Sequence, residues 1–115
     1  MKIPAYEVKE QSQDRAVACL AIPQDLPFFK GHFPSQPILP AVVQALWMQE
    51  LAKDLLGVGL DGSVPSVKFT APLLPGDRIE ILLELKRDKG MLYFEIRRIA
   101  DGQRACKGRF RIEEG

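Results

Sequence analysis

Apolar and charged residues alternate through the second half of the chain, which is the period of half-buried β-strands. The odd positions from 79 to 85 are all apolar, and four of the five residues between and beside them are charged. The alternation continues over 92–96 and over 106–112, where Lys107, Arg109 and Arg111 occupy the opposite face. Turns at 88–90 and at 101–102 separate these runs. The pattern predicts three strands of an antiparallel meander.

The first half of the chain predicts fewer strands and one long helix. Strands are expected over 6–9 and 15–22, and a short strand over 64–69. Residues 23–40 carry five prolines and predict an irregular stretch, which in a small domain is usually functional or disordered. Residues 41–56 contain no Pro or Gly and are rich in good helix formers. Pro40 suits the first helical turn and Gly57 the C-terminal cap, so a helix is predicted between them.

Hydrophobic residues are unevenly distributed around this helix. At about 100° per residue, one face carries a stripe that is expected to pack on the sheet, formed by Gln44, Met48, Leu51, Ala52 and Leu55. The opposite face is polar over 49–54 but apolar in the first turns, at Val42, Val43 and Leu46. This apolar patch predicts a cover, which could be a partner subunit, an acyl chain or the loop over 28–33.

The order of these elements predicts the fold class. One long helix, with strands before it and a meander after it, indicates an α+β protein with an antiparallel sheet. A sheet of this size wrapped around one central helix is the hotdog arrangement, here expected as a single domain over 1–115. The exposed ends of such a sheet favour pairing with a second copy.

Composition excludes several classes of function. The chain is 46% hydrophobic and 27% charged with a net charge of +1, so bulk electrostatics predict no binding to nucleic acid or membranes. No signal peptide or membrane span is recognisable, and a cytoplasmic protein is expected. Cys19 and Cys106 lie in apolar patterns typical of small core residues. With a single histidine they form no metal site by spacing.

The only histidine, His32, stands among aromatic residues, glycine and proline just before the predicted helix. Imidazole titrates near neutral pH, so one histidine is enough for proton transfer. The helix is predicted to begin nine residues later, and its first N–H groups have no partner within the helix and carry the positive end of the helix dipole. A base beside an oxyanion-binding amide is what chemistry next to a thioester carbonyl requires.

Two segments resemble signatures of one enzyme family. The sequence PFFKGHFPSQPILP, over 27–40, closely resembles the hallmark segment of the hotdog-fold (3R)-hydroxyacyl-acyl-carrier-protein dehydratases. Its continuation AVVQALW, over 41–47, is more similar to the branch associated with aryl-polyene synthesis. The sequence VKFTAPLLPGD, over 67–77, resembles a second signature that many hotdog proteins share.

The resemblance implies a dehydratase that removes water from a carrier-bound 3-hydroxyacyl thioester in fatty acid or polyene synthesis. It implies no metal or cofactor, because the substrate is carried on the phosphopantetheine of an acyl carrier protein or coenzyme A. It also implies a homodimer, or a hetero-oligomer with another hotdog subunit whose helix supplies an acid. By position, His32 is the base and the Ala41 N–H is the oxyanion donor. The acyl slot is formed by Phe29, Gly31, Phe33, Val42 and Leu46.

The chain departs from the family at the acid. The carboxylate position of the helix is Leu46, which cannot donate a proton. Glu50 lies one turn further along and is a candidate substitute as catalytic acid, but it is also readily explained as a surface residue paired with a neighbouring lysine. Two other functions therefore stay open. One is a hotdog thioesterase, with water activated by Glu50 or His32. The other is an inactive acyl-binding or partner-stabilising subunit.

A basic stripe offers a second candidate function. Lys107, Arg109 and Arg111, together with Arg97, could dock an acidic carrier protein by complementary charge. An ordinary solvated strand face is the alternative interpretation of the same residues.

Overall fold

The computed structural model describes residues 2–29, 38–61 and 66–113, apart from the side chain of Phe28. The described part contains one α-helix, six strands and two short 3-10 turns at Pro27–Phe29 and Arg87–Lys89. In chain order the larger elements are β1 (Glu7–Gln11), β2 (Arg15–Ala21), α1 (Ala41–Leu56), β3 (Ser66–Phe69), β4 (Arg78–Lys86), β5 (Met91–Arg98) and β6 (Arg104–Arg111). The predicted α+β arrangement of one long helix and an antiparallel sheet is confirmed.

The strands form one antiparallel sheet in the order β1-β2-β4-β5-β6-β3. On its core face, Ile81 lies opposite Ile96 and Leu83 opposite Phe94, and all four side chains are buried. This pairing follows directly from the alternation in the sequence, because successive side chains of a strand point to opposite faces. β1 and β3 are the two edges of the sheet.

Helix α1 begins and ends at the predicted residues. Pro40 precedes it in an extended conformation, and no side chain caps its first turn. Gly57 follows it in the left-handed conformation (φ 69°). Its N–H donates to the Lys53 carbonyl oxygen at 3.2 Å, and the Val58 N–H donates to the Ala52 carbonyl oxygen at 3.3 Å. A residue with a Cβ is strained at such a φ, which is why glycine is favoured here.

The buried face of α1 is wider than the predicted stripe. Its buried residues are Val43, Gln44, Trp47, Met48, Leu51, Ala52 and Leu56. The expectation that Val43 lies on the outer face is therefore wrong, since only 3% of it is exposed. The core cluster includes Leu39 and Leu73 from the loops as well as the strands, so the helix is covered on more than one side. Val42 and Leu46 are exposed, at 66% and 39%, as predicted.

Two further observations concern the cysteines and the possibility of a membrane-spanning helix. Cys19 and Cys106 are buried, as the apolar pattern predicts, and both carry free thiols. No helix in residues 2–29, 38–61 and 66–113 is long and apolar enough to cross a membrane.

Candidate functional site

The structure describes only some of the residues predicted to form the acyl slot and the base. Gly31, His32 and Phe33 lie outside the described residues. Phe29, which precedes them, is 9% exposed and belongs to the hydrophobic core cluster. The described chain resumes at Ile38, and from there the surroundings of the helix start can be analysed in detail.

An open pocket of about 450 Å³ lies at the start of α1. Two segments and one helix side chain line it: residues 38–41, residues 69–72 and Gln44. Ile38 and Phe69 expose large apolar side chains, at 44% and 48%. An apolar pocket with few polar groups is the common form of a small-molecule site. The structure thus brings the predicted oxyanion donor, Ala41, together with the end of β3.

The first two amides of α1 face no competing partner in the described parts of the chain. The N–H groups of Val43 and Gln44 donate to the Pro40 carbonyl oxygen, at 3.1 and 3.2 Å. Among the described residues, the N–H groups of Ala41 and Val42 have no acceptor, and the first turn contains no acidic residue. Such amides, at the positive end of the helix dipole, can hydrogen-bond an oxygen on which negative charge develops.

Gln44 connects the helix start to the sheet. It is 5% exposed and is the one buried polar residue of the described core. Its Nε2 donates to the Leu39 carbonyl oxygen at 3.1 Å, and its Oε1 accepts from the Cys106 thiol at 3.5 Å. Burial raises the pKa of the Cys106 thiol to about 12, which keeps it protonated as a donor. The sequence placed Gln44 on the buried stripe but did not indicate these bonds.

The second signature segment fixes the same loop from another side. The Leu39 N–H donates to the Leu73 carbonyl oxygen at 2.8 Å. The next residue, Leu74, donates its N–H to Asp77 Oδ2 at 2.9 Å, and Gly76 donates to the Ile22 carbonyl oxygen at 2.8 Å. The Pro-Gly-Asp turn therefore ties the residue before Pro40 to the end of β2. Its contribution to the site is to position the helix start.

Glu50 contacts the N-terminal segment, and not the lysine that the sequence suggested as its partner. Its Oε2 accepts a hydrogen bond from the Ile3 N–H at 2.6 Å, so the carboxylate holds the N-terminal segment against α1. It forms no ion pair with a described lysine and does not line the pocket at the helix start. Leu46 does not line that pocket either. The structure brings no carboxylate of residues 2–29, 38–61 and 66–113 into its wall.

No group of three or more His, Cys, Asp or Glu side chains in the described segments is arranged to hold a metal ion. The chemistry that the pocket offers on its own is hydrogen bonding from the helix-start amides to an oxygen atom, within an apolar wall.

Comparison with known proteins shows that this chain is similar to a family of dehydratases. The family model described as ApeI-like, ApeI dehydratase, matches residues 8–109. The 3-hydroxyacyl-acyl-carrier-protein dehydratase FabZ of Anaeromyxobacter dehalogenans strain 2CP-1 is 30% identical over 120 residues, which cover 90% of this chain and 74% of the relative. FabZ of Cereibacter sphaeroides is 33% identical over 106 residues, which cover 83% and 68%.

Two solved structures are similar to this chain over most of its length. The dehydratase heterocomplex ApeI:P from Xenorhabdus doucetiae superposes with a TM-score of 0.86 and 30% identity, covering 98% of this chain and 100% of that one. The Escherichia coli PaaI protein from the phenylacetic acid degradation operon has a TM-score of 0.72 at 14% identity, covering 95% and 82%. Similarity at that low identity shows the fold alone. The predicted hotdog fold is confirmed.

Proposed function

The chain belongs to the ApeI-like dehydratase family, and we propose that it supplies the base and the oxyanion-binding amide of a site that dehydrates 3-hydroxyacyl thioesters on an acyl carrier protein. The observation that carries this proposal is the pocket at the start of α1, where the Ala41 N–H has no acceptor among the described residues. The reaction class is that of a hydro-lyase, and no metal takes part in the steps proposed here.

The helix start acts on the thioester carbonyl. When the proton α to the carbonyl is removed, negative charge develops on the carbonyl oxygen. The Ala41 N–H donates to this oxygen, and because the amide is fixed by the helix, little reorganisation is needed. Gln44 and Leu73 hold Leu39 and therefore the approach to Pro40 and the helix start.

Proton transfer completes the elimination. We assign removal of the α-proton to His32, because histidine is the side chain most often used as a general base. The C–H electrons form the new double bond, the bond from the β-carbon to oxygen breaks, and a proton must reach the leaving hydroxyl to release water. This last step needs an acid. The Leu46 side chain has no acidic proton, and the Glu50 carboxylate accepts a hydrogen bond from the Ile3 N–H.

We infer that the acid comes from a second hotdog subunit with a carboxylate on its helix. Val42 and Leu46 expose an apolar patch on α1 in the single chain, which suits a subunit interface. The similar ApeI:P assembly is itself a heterocomplex. A homo-oligomer of this chain would place Leu46 where the acid is needed and would be a poor catalyst.

The test is hydration of an enoyl thioester, the reverse reaction, by the purified chain. We expect the chain alone to be slow and Leu46→Glu to raise its rate at least about tenfold, because a positioned general acid contributes about 10²–10⁴-fold. His32→Ala should abolish the gained activity. Gln49→Glu, which adds a carboxylate at an exposed position of the same helix, is the matched control and should leave the rate unchanged.

Other outcomes would contradict this assignment. A fast wild-type rate that Glu50→Gln abolishes would make Glu50 the acid. Release of free thiol in place of hydration would indicate a thioesterase. If Leu46→Glu remains inactive while the chain still retains acylated carrier, the protein is an acyl-binding subunit.

A further inference from the structure

Among the described residues that line the pocket at the helix start, Gln44 and Thr70 are the two with polar side chains. The bonds to the Leu39 carbonyl oxygen and from the Cys106 thiol already engage both ends of the Gln44 amide, which is 5% exposed. Thr70, the only threonine of the chain, is exposed and directly follows β3. Its hydroxyl is therefore the polar side-chain group of this lining that a ligand reaches most readily.

Strand β6 fixes the orientation of this hydroxyl. The Thr70 Oγ1 donates to the Arg104 carbonyl oxygen at 2.7 Å and lies 3.3 Å from the Ala105 carbonyl oxygen. The Thr70 N–H donates to the same Ala105 oxygen at 2.8 Å. A hydroxyl has one hydrogen to donate and two lone pairs that accept. Because β6 takes the hydrogen and no described residue donates to the lone pairs, Thr70 offers the pocket an acceptor and no donor.

The loop that carries Thr70 is held at the two residues that follow it. The Ala71 N–H donates to a carbonyl oxygen of β6 at 3.1 Å. The Arg98 Nη1 on β5 donates to the Pro72 carbonyl oxygen at 3.3 Å. A group that is fixed before binding loses little conformational freedom when a ligand arrives. The acceptor is thus positioned in advance.

The polar groups on the two sides of the pocket are of opposite kind. The Ala41 N–H is a donor and suits the carbonyl oxygen of a thioester, whereas Thr70 Oγ1 is an acceptor and needs an N–H or O–H group. The thioester group itself contains no donor. The arm that carries it, in acyl carrier protein and in coenzyme A alike, has an amide two carbon atoms from the sulfur. This amide lies on the side of the thioester that leads out to solvent, as exposed Thr70 does.

We propose that Thr70 Oγ1 accepts a hydrogen bond from the amide N–H nearest the sulfur of this arm. The inference rests on the proposed function, because it concerns the substrate of that site. Thr70 takes no part in proton transfer and contributes to affinity. The pocket then recognises thioesters of amide-bearing thiols through Thr70, whatever acyl group they carry.

Two short thioesters that differ at one group test the proposal. S-butyryl-N-acetylcysteamine has the amide N–H, and the S-butyryl thioester of 2-mercaptoethyl acetate has an ester oxygen in its place. Neither carries a 3-hydroxyl group, so neither can be dehydrated. NMR titration of the isotope-labelled full chain measures both dissociation constants. We expect the wild type to bind the amide at least about threefold more tightly than the ester, the effect of one hydrogen bond.

Two variants separate the hydroxyl from the shape of the side chain. Thr70→Val keeps the branched shape without the hydroxyl and should bind the amide no more tightly than the ester. It also loses the bond to the Arg104 carbonyl oxygen, but a less stable protein weakens both ligands alike and leaves their ratio unchanged. Thr70→Ser retains the hydroxyl and should restore the preference. Equal affinities in the wild type, no binding of either ligand, or an undiminished preference in Thr70→Val would overturn the proposal.

A third thioester tests the competing donor, the 3-hydroxyl group of the acyl chain. The 3-hydroxybutyryl thioester of 2-mercaptoethyl acetate has this hydroxyl and no N–H. If Thr70→Val weakens its binding and not that of the amide, Thr70 binds the 3-hydroxyl group and the proposal is wrong. The result is separable from the hydration assay, because the butyryl thioesters are not substrates. Recognition of the arm can therefore succeed in a chain that does not hydrate, and can fail in one that does.

Discussion

Substituting Gln44 by methionine should reveal how much the helix start depends on one buried amide. Methionine is close to glutamine in size and is also unbranched, so it fills the site without a large cavity. It removes the donor to the Leu39 carbonyl oxygen and the acceptor for the Cys106 thiol. Leu39 is 1% exposed, so its carbonyl oxygen loses the hydrogen bond from Gln44 in an environment that excludes water.

The magnitude follows from that carbonyl group. A buried polar group left unsatisfied costs about 1–3 kcal/mol. The thiol is a weak donor and adds little. We therefore expect Gln44→Met to lower the free energy of unfolding by about 1–3 kcal/mol, or to lower the melting temperature by about 4–8 °C per kcal/mol in a domain near this size. Urea denaturation, followed by the fluorescence of Trp47, the only tryptophan, measures the free energy of unfolding.

The control is Gln49→Met, the same chemical change at an exposed position of the same helix. It should alter the free energy of unfolding by less than about 0.5 kcal/mol, the usual range for surface positions. If Gln44→Met is as harmless as Gln49→Met, the two hydrogen bonds do not stabilise the helix start, and the positioning role given to Gln44 is refuted.

Two further predictions concern β6. Gly108→Ala should destabilise the protein by about 1–3 kcal/mol, because its methyl group would collide with the Ser66 carbonyl oxygen and lie 3.0 Å from the Phe94 ring; an unchanged melting temperature would contradict this. Burial raises the pKa of the Cys106 thiol from 9.0 to about 12. Its contribution to stability is full below pH 9 and is lost as pH rises toward 12, at about 1.4 kcal/mol per pH unit. The pH dependence of unfolding should therefore be shallower in Cys106→Ala over that range, and equal slopes would disprove it.

The fold was predictable because its signals are local. Strands β4, β5 and β6 follow from a period of two residues, and α1 follows from a run without Pro or Gly between Pro40 and Gly57. The position of Val43 was not predictable in the same way. Val43 belongs to a buried cluster that also contains the loop residue Leu39, and periodicity within the helix contains no information about such loop residues.

The contacts that position the site were less accessible from sequence. Gln44 and Cys106 are 62 residues apart, and nothing near either residue specifies the other. A glutamine within an apolar helical stripe did indicate a buried polar group, and such groups require partners. Which partners they are follows only from the register of β6 and from the path of the chain through Leu39.

The source of the acid could not be predicted, because one sequence contains no information about the subunit that pairs with it. Positions 41 and 46 are five residues apart, which is about 140° around a helix, so the Ala41 amide and the side chain of Leu46 point in different directions. In agreement, Ala41 lines the pocket at the helix start and Leu46 does not. A carboxylate at position 46 would therefore serve a site other than the one at its own helix start. In the assignment proposed above, leucine at this position removes the acid from the partner's site, and the proposed site of His32 and Ala41 needs a carboxylate from another subunit. A pair of this chain with a subunit that carries the carboxylate should then contain one working site, with base and amide both from this chain.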